Sequence, residues 1–372
     1  MNSQPAETVP ITELVKDASG GNIKVPKGNY NSSGAYPVVD QGQSVIGGYT
    51  EDPTCIVDGD GPWIIFGDHT RKLKFIDFSF CMGADGVKVL TVKNPTKCDP
   101  KYLYHFLQAN EVPSAGYSRH FKFLKRLKVP VPPLNEQKRI AAILDKADAL
   151  RQKRKKTIEL LNSLTQSIFD EEFGSTFSRT SEHARLGEVC TKITDGTHQA
   201  PNWSSSGIPF LFVSNIRGQK ISFDTKKHVS EDEYNRLTKS TPIEIGDVLY
   251  TAVGSYGHSA IVSNDKKFVF QRHIAQLKPN HKAVDPVYLS IALEAPAVRR
   301  QADKAAKGVA QKTVTLTSLK DFSIPLPSMD KQKKFAHKAS EIRTMSASHR
   351  HGLTLADNLF NTLQHSAFAG EL

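Results

Sequence analysis

A chain of 372 residues, 38% hydrophobic and 23% charged, has the length of two domains and enough apolar material for real cores, which excludes wholesale disorder. Forty-nine Lys and Arg against 38 Asp and Glu leave a formal charge of +11 and a pI near 9.3, a balance that points toward a polyanion such as nucleic acid or to plain solubility charge. No run approaches the roughly 18 apolar residues of a membrane helix, and the start MNSQPAETVPITELVKD lacks the basic and apolar stretches of a signal peptide, so a soluble, cytoplasmic chain with no membrane partner is expected.

Residues 1–133 read as a first domain, rich in Gly, Ser, Thr, Asp and Val, with short alternating runs such as Pro62-Trp63-Ile64-Ile65-Phe66. After that run, His69, Thr70, Arg71, Lys72 and Lys74 make a polar loop suited to DNA contact. A short helix is expected over 101–110. The segment 117–128, from Tyr117 to Lys128, then carries five cations interleaved with aromatics. Arg119, His120, Lys122 and Lys125 are its candidates for phosphate contact, which fixes register without reading bases. The competing reading is a solvated strand edge.

A proline stop leads into a long helix over 134–174, with Asn135 placed to cap its free backbone N–H groups. Apolar residues at Ile140, Leu144, Ala147, Leu150, Ile158, Leu161, Leu164 and Ile168 form a narrow stripe, the seam of a coiled coil. Arg151 and Arg154 interrupt it. The cationic run 151–156 reads as a solvated face, with contact to DNA phosphates as the alternative.

Residues 175–328 repeat the mainly β composition, for example Asp247-Val248-Leu249-Tyr250, and carry a helix over 286–302 interrupted at Pro296. Thr197, His198 and Gln199, then Ser255 and Tyr256, Gln271, Arg272 and His273, and Gln311 and Lys312 are the candidate DNA residues here. Arg and Gln can make bidentate contacts to guanine and adenine edges, worth roughly 1–3 kcal/mol each. An ordinary turn competes at every one of these positions. A second long helix over 329–372 has Asp330 at its cap and Phe335, Ala339, Ile342, Ala356, Leu359, Phe360 and Leu363 along its stripe, with His349 and Gly352 in the middle.

The two halves are copies. FLKRLKVPVPPLNEQKRIA at 123–141 matches SLKDFSIPLPSMDKQKKFA at 318–336 at an offset of 195. The same ungapped offset pairs Pro130 with Pro325, Gln137 with Gln332, Leu160 with Leu355, Leu164 with Leu359 and Phe173 with Phe368. Two unrelated proline-to-helix junctions would not keep register to the ends of their helices. Neither apolar stripe can be satisfied alone, so each helix is expected to pack antiparallel on the other. Gln137, Ile140, Leu144, Leu161, Leu164, Gln332, Phe335, Ile342, Leu359 and Leu363 are expected to form the seam and the docking face for partners.

Catalytic patterns are missing. Gly83 to Lys88 has the wrong spacing for a phosphate loop, Gly254-Ser255-Tyr256-Gly257 is not a nucleophile elbow, and neither GxGxxG, HExxH nor the Asn-Pro-Pro-aromatic signature of amino-methyltransferases occurs. Cys55, Cys81, Cys98 and Cys190 form no CxxC pair, which excludes a zinc ribbon and fits a reducing compartment. The sequence reads as a binding protein without a metal or cofactor of its own.

The duplicated proline–Gln-Lys junction after two divergent β-rich regions resembles the specificity subunit of type I restriction–modification systems. Asp195-Gly196-Thr197-His198 followed by Gly207-Ile208-Pro209-Phe210-Leu211 is similar to the opening of one target-recognition class, and Tyr36-Pro37-Val38 with 65–70 to another. The terminal 367–372 resembles the family's usual helix end; Lys331, where the family has Glu, and Gly352 depart from it. The resemblance implies an α+β chain in which two mainly-β target-recognition domains, 1–133 and 175–328, alternate with helices 134–174 and 329–372 that pack as an antiparallel coiled coil. It implies double-stranded DNA as ligand, with each domain reading half of a split site and the helices setting the spacer. Methyltransferase and restriction subunits would be its partners, holding S-adenosylmethionine, ATP and Mg. The competing functional reading is a non-catalytic coiled-coil scaffold with protein-binding β domains; a nuclease with an unrecognised site is a third.

Overall fold

The computed structural model describes residues 7–114, 116, 118–174, 182–308 and 311–372; Tyr117 of the basic segment lies outside them. The chain divides into two compact units, residues through Arg154 together with Gly352–Leu372, and Lys155–His351. Each long helix, Leu134–Phe173 and Met329–Ala369, contributes residues to both units.

The first unit holds an antiparallel sheet in the order Val15–Asp17, Val87–Val92, Trp63–Gly67, Leu73–Ile76. A second, mixed sheet has Cys81–Gly83 parallel to both Lys24–Val25 and Tyr36–Val39. The second unit repeats this plan. Its antiparallel sheet runs Cys190–Asp195, Ile274–Pro279, Val248–Thr251, Ser259–Ile261, and its mixed sheet contains the parallel pair Ile208–Leu211 and Val269–Phe270. The central strands Trp63–Gly67 and Val248–Thr251 are wholly buried, as near-continuous apolar runs require.

A short helix follows each antiparallel sheet. Pro100–Ala109 starts one residue before the expected position, because Asp99 accepts the Tyr102 amide at 2.9 Å and Pro100 fits the first turn. In the second unit Asp285 accepts the Val287 and Tyr288 amides, and the expected helix is two, Pro286–Glu294 and Pro296–Ala305. Ala295 between them is extended (ψ 143°), since a residue before proline is excluded from the helical region.

The repeated junction proves to be a clamp, present in both units with the same chemistry. Buried Gln137 accepts the Asp99 amide at 2.8 Å and donates to the carbonyls of Lys97 (2.9 Å) and Pro132 (2.7 Å). Buried Gln332 accepts the Asp285 amide at 2.9 Å and donates to those of Ala283 (3.3 Å) and Pro327 (2.8 Å). Tyr102 donates to the Pro130 carbonyl at 2.7 Å, and Tyr288 to that of Pro325 at 2.9 Å. Each proline strand also pairs with the first strand of its own β region, Thr8 opposite Pro130 and His183 opposite Pro325. Gln137 and Gln332 are therefore internal ties, not docking residues.

The caps expected at Asn135 and Asp330 are corrected as well. The helices begin at Leu134 and Met329, so both residues lie inside the first turn, and the Pro133 and Ser328 carbonyls accept the Gln137 and Gln332 amides.

Within each unit the two helix segments run antiparallel. In the first, Arg151 meets Asp357 at 2.7 Å while Arg139 reaches the Leu372 carbonyl at 2.6 Å. Ile140 and Leu144 share a core with Phe360 and Ala367, and Leu363 packs at its margin. In the second, Ser346 bonds Asn162 at 3.3 Å, Lys338 meets Glu172 at 2.6 Å, and Phe335 stacks edge-on against Phe169 and Phe173. Leu161 and Ile342 are buried there. Leu164 and Leu359, at 41% and 50% exposed, are not seam residues; the inward positions fall one residue later, at Thr165 and Phe360. The helices run unbroken through their polar middles. The Arg154 guanidinium lies where a side chain at position 352 would stand, 2.3 Å from the Cβ position, so Gly352 leaves the space it occupies.

Candidate nucleic-acid interface

In the first unit the polar loop is the turn between Trp63–Gly67 and Leu73–Ile76, with Arg71 in the left-handed region (φ 60°). Buried Asp68 ties it to the basic segment. Its carbonyl accepts the His120 amide at 2.9 Å and its carboxylate the Phe121 amide at 2.7 Å, while its own amide donates to Gly86. Two stretches singled out in the sequence thus come together at one place. His69, Thr70, Lys72, Arg119, Lys122 and Lys125 are exposed there. Arg71 is half-buried and donates to the Val112 carbonyl at 2.9 Å. The Lys125 and Lys88 ammonium groups lie 4.8 and 5.0 Å from the centre of the Phe121 ring, so one aromatic side chain attracts two cations.

Two candidates in this unit are not available. Lys74 is 5% exposed and donates to the Asp40 and Val45 carbonyls at 2.6 and 3.4 Å, with the Asp40 carboxylate at 3.5 Å. Burial lowers its pKa, opposed by Asp40. Strand alternation turns it inward with Ile76. His120 is buried with its Nδ1 2.9 Å from the Asp68 carbonyl oxygen. Lys74→Met is expected to destabilise the first unit by about 1–3 kcal/mol, because two carbonyls lose their donor. Duplex affinity measured on the folded variant stays unchanged; a selective loss of DNA binding would return Lys74 to the interface.

Sequence reasoning missed Gln41, which organises this turn. It accepts the His69 amide at 3.2 Å, donates to the Asp85 carbonyl at 3.1 Å, and its carbonyl accepts the Thr70 hydroxyl at 2.7 Å. All three partners are distant in sequence, so no local pattern marks it.

The second unit brings its candidates closer together. Thr197 pairs in parallel with Gln271, its amide donating to the Phe270 carbonyl and its carbonyl accepting the Arg272 amide, both at 3.1 Å. Gly196 is required for this approach, since a Cβ there would stand 2.1 Å from the Phe270 oxygen. On the other side, Val253 pairs with Thr313 and the Gly254 amide donates to the Lys312 carbonyl at 2.9 Å. Asp195, Arg272, His273, Gln311 and Thr313 consequently line one cavity of about 340 Å³.

His198, Gln199, Ser255, Arg272, Gln311 and Lys312 are exposed around this centre, and Thr197, Gln271 and His273 are half-buried. Burial, followed by the Arg272 charge, lowers the His273 pKa below its usual value, so the ring is neutral at neutral pH and presents one donor and one acceptor. Tyr256 is the exception. It is buried, donates to Asp303 at 2.8 Å and lies under the Arg299 guanidinium at 4.7 Å, so it supports the loop from inside.

Each unit therefore presents exposed cations on loops fixed to a sheet, joined in the second unit by the amides of Gln199 and Gln311, an arrangement able to bind a charged backbone and read base edges. Residues 4–160 and 179–350 match the type I restriction modification DNA specificity domain. The chain belongs to this family. Over 93% of its length it is 24% identical to the type I restriction enzyme EcoR124I/EcoR124II specificity subunit of Escherichia coli, of which the match covers 89%. It is also 24% identical, over 74% of its length, to the EcoBI specificity subunit of Escherichia coli, of which 66% is covered. The solved type I restriction–modification S subunit from M. genitalium shares its fold, with a TM-score of 0.61 at 16% identity over 99% of this chain and 97% of that one. As a type I specificity domain protein the chain is a DNA-recognition component without a catalytic role. Among the described residues no helix is long and apolar enough to cross a membrane.

Proposed function

We propose that this chain is the specificity subunit of a cytoplasmic type I restriction–modification complex, with 1–133 and 175–328 as two target-recognition domains that each read one half of a split duplex site. The observation that carries this reading is that exposed polar and basic side chains converge in both units, where the loop after the central strand meets the segment before the proline strand, at Asp68 with His120 and at Gly254 with Lys312. The loops around Asp68 serve the first half-site, and those around Thr197, Gln271 and Gly254 the second.

Methyltransferase subunits, and restriction subunits with them, are the proposed partners, bringing S-adenosylmethionine, ATP and Mg. Their docking face differs from the buried seam. Leu160 and Leu164 are exposed, and so are Leu355 and Leu359, their equivalents at the offset of 195. An apolar stripe exposed twice in register suits one copy of the same partner on each repeat. Replacing Leu160 and Leu164 with Asp, or Leu355 and Leu359 with Asp, is expected to remove one methyltransferase copy each, read as mass by native mass spectrometry. Full stoichiometry in both variants would sink the assignment.

The deciding experiment is co-expression with the neighbouring genes and sequencing of host DNA for methylated adenine. A single split motif with a fixed spacer, lost on deleting this gene, is expected. Exchanging one recognition domain then changes one half of the motif only. Charge reversal at Arg119, Lys122 and Lys125 is expected to weaken duplex binding uniformly and to flatten its salt dependence by about 0.9 in log–log slope per phosphate contact removed. Binding that ignores salt, in a complex that leaves DNA unmethylated, would favour the scaffold reading.

A further inference from the structure

A second cavity in the Lys155–His351 unit lies away from the reading loops. About 350 Å³ in volume, it opens between the paired helix segments, the short helix Pro286–Glu294 and the hairpin at 216–221. Its floor is apolar, formed by Leu161, Ile291, Ala339 and Ile342, with Asn162, Gln219, Ser290 and Ser346 among the polar lining groups. Arg217, Lys220, Arg343 and Arg350 stand around it. The one carboxylate in the lining, Glu294, already accepts the Ser259 amide at 2.7 Å. Among the described residues Arg217, Lys220 and Arg343 form no ion pair. Burial, followed by the charges of Arg350 and Arg343, lowers the Lys220 pKa, as expected where cations crowd without a counter-ion.

The first unit supplies an internal comparison. At the offset of 195, Thr165 corresponds to Phe360, Ala339 to Leu144, Ser346 to Arg151, Asn162 to Asp357 and Arg343 to Asp148. There the equivalent seam positions carry larger or paired charged side chains, and the cavity beside them is lined by Arg151, Phe360 and the 70–73 turn. Phe360 and Leu144 are buried in one core, and Arg151 covers the Phe360 ring at 4.2 Å, neutralised by Asp148 and Asp357 at 2.9 and 2.7 Å. The second unit carries small side chains in place of two large apolar ones, lacks both carboxylates, and has its one arginine of this set at 343 instead of at the position of Ser346. One set of changes takes apolar bulk out of the seam beside the cavity, and the other makes its lining cationic.

We propose that this cavity binds a phosphorylated small molecule with an apolar body, such as a nucleotide, its phosphates held by Arg217, Lys220 and Arg343 and its body resting on Leu161, Ile291 and Ile342. The volume falls in the range of small-molecule sites. The recessed floor distinguishes this ligand from a DNA backbone phosphate, which carries no apolar group to cover it.

The test is calorimetric titration of the full chain with ATP, with inorganic phosphate, and with non-target duplex DNA. ATP is expected to bind at least about tenfold more tightly than inorganic phosphate, a difference of about 1.4 kcal/mol contributed by the floor. Thr165→Phe and Arg343→Asp import side chains that the other half of the chain already accommodates. Each is expected to weaken ATP binding by about tenfold or more and to leave duplex affinity unchanged. Should Thr165→Phe fail to fold, the exposed Arg343→Asp carries the test. Absence of ATP binding, or ATP binding unaltered by Arg343→Asp, overturns the proposal. So does a parallel loss of duplex affinity in Arg343→Asp, which would make this a backbone-phosphate contact.

Discussion

Gln332→Leu is expected to lower the stability of the second unit by about 3 kcal/mol, although leucine is of similar size and fits an apolar junction. The carboxamide serves three main-chain groups at once: the Asp285 amide and the carbonyls of Pro327 and Ala283. Leucine leaves all three without this partner, the Pro327 carbonyl buried and the other two part-buried, at roughly 1–3 kcal/mol for a group left unsatisfied before relaxation. Gln137→Leu should have the same effect on the first unit, since its partners are equivalent. Urea unfolding of each variant measures the loss. A change below about 1 kcal/mol would show that water replaces the amide and that the clamp does not hold the junction. The folded variants should keep their DNA target, because the clamp touches no reading loop.

The second large effect is predicted at Gly196. Gly196→Val places a branched side chain against the main-chain oxygens of Phe270 and Gln271, at 2.1 and 2.7 Å from the Cβ position. Backbone cannot yield as a flexible side chain does, so the 195–199 loop must move away from 271–273. The variant is expected to keep its sheets, whose register does not depend on this contact, and to lose reading of the second half-site. Displacing the contacts of Thr197, Gln199 and Arg272 removes about 3 kcal/mol of discrimination, roughly a hundredfold in affinity for the cognate site over a scrambled one. Competition binding on duplexes altered in one half at a time reads this out. Equal losses on both halves, or unaltered discrimination, would move the second reading surface elsewhere.

What could be read from the sequence follows from how local its causes are. The repeat was visible because the clamp must use the same residue types at the same spacing twice, and the short helices because Asp-Pro and a following Tyr-Leu are local start signals. The grouping of 195–199 with 271–273 and 311–312 was not visible, since it depends on strand pairings far apart in the chain. The errors at Leu164 and Leu359 have a different origin. A 3-4 repeat allows neighbouring choices at each turn, and here the inward position in the second unit is a threonine, which no apolar pattern selects. Lys74 was misread although alternation with Ile76 marks it as inward, because its charge outweighed its register. Asn135 and Asp330 were given caps by residue type, while the proline stop had already begun each helix one residue earlier.

Apart from the tyrosine and glutamine side chains themselves, both clamps are built on main-chain atoms: the Asp99 and Asp285 amides and the carbonyls of Lys97, Pro130, Pro132, Ala283, Pro325 and Pro327. Beyond that one tyrosine, a joint of this kind does not depend on which side chains the attached β region carries, provided the chain arrives at the same place. Recombination at the proline segments would therefore exchange one recognition domain for an unrelated one without redesigning the helix it meets. On the proposed function, the joint itself would make the molecule evolvable, letting target sequence diverge while the frame stays constant.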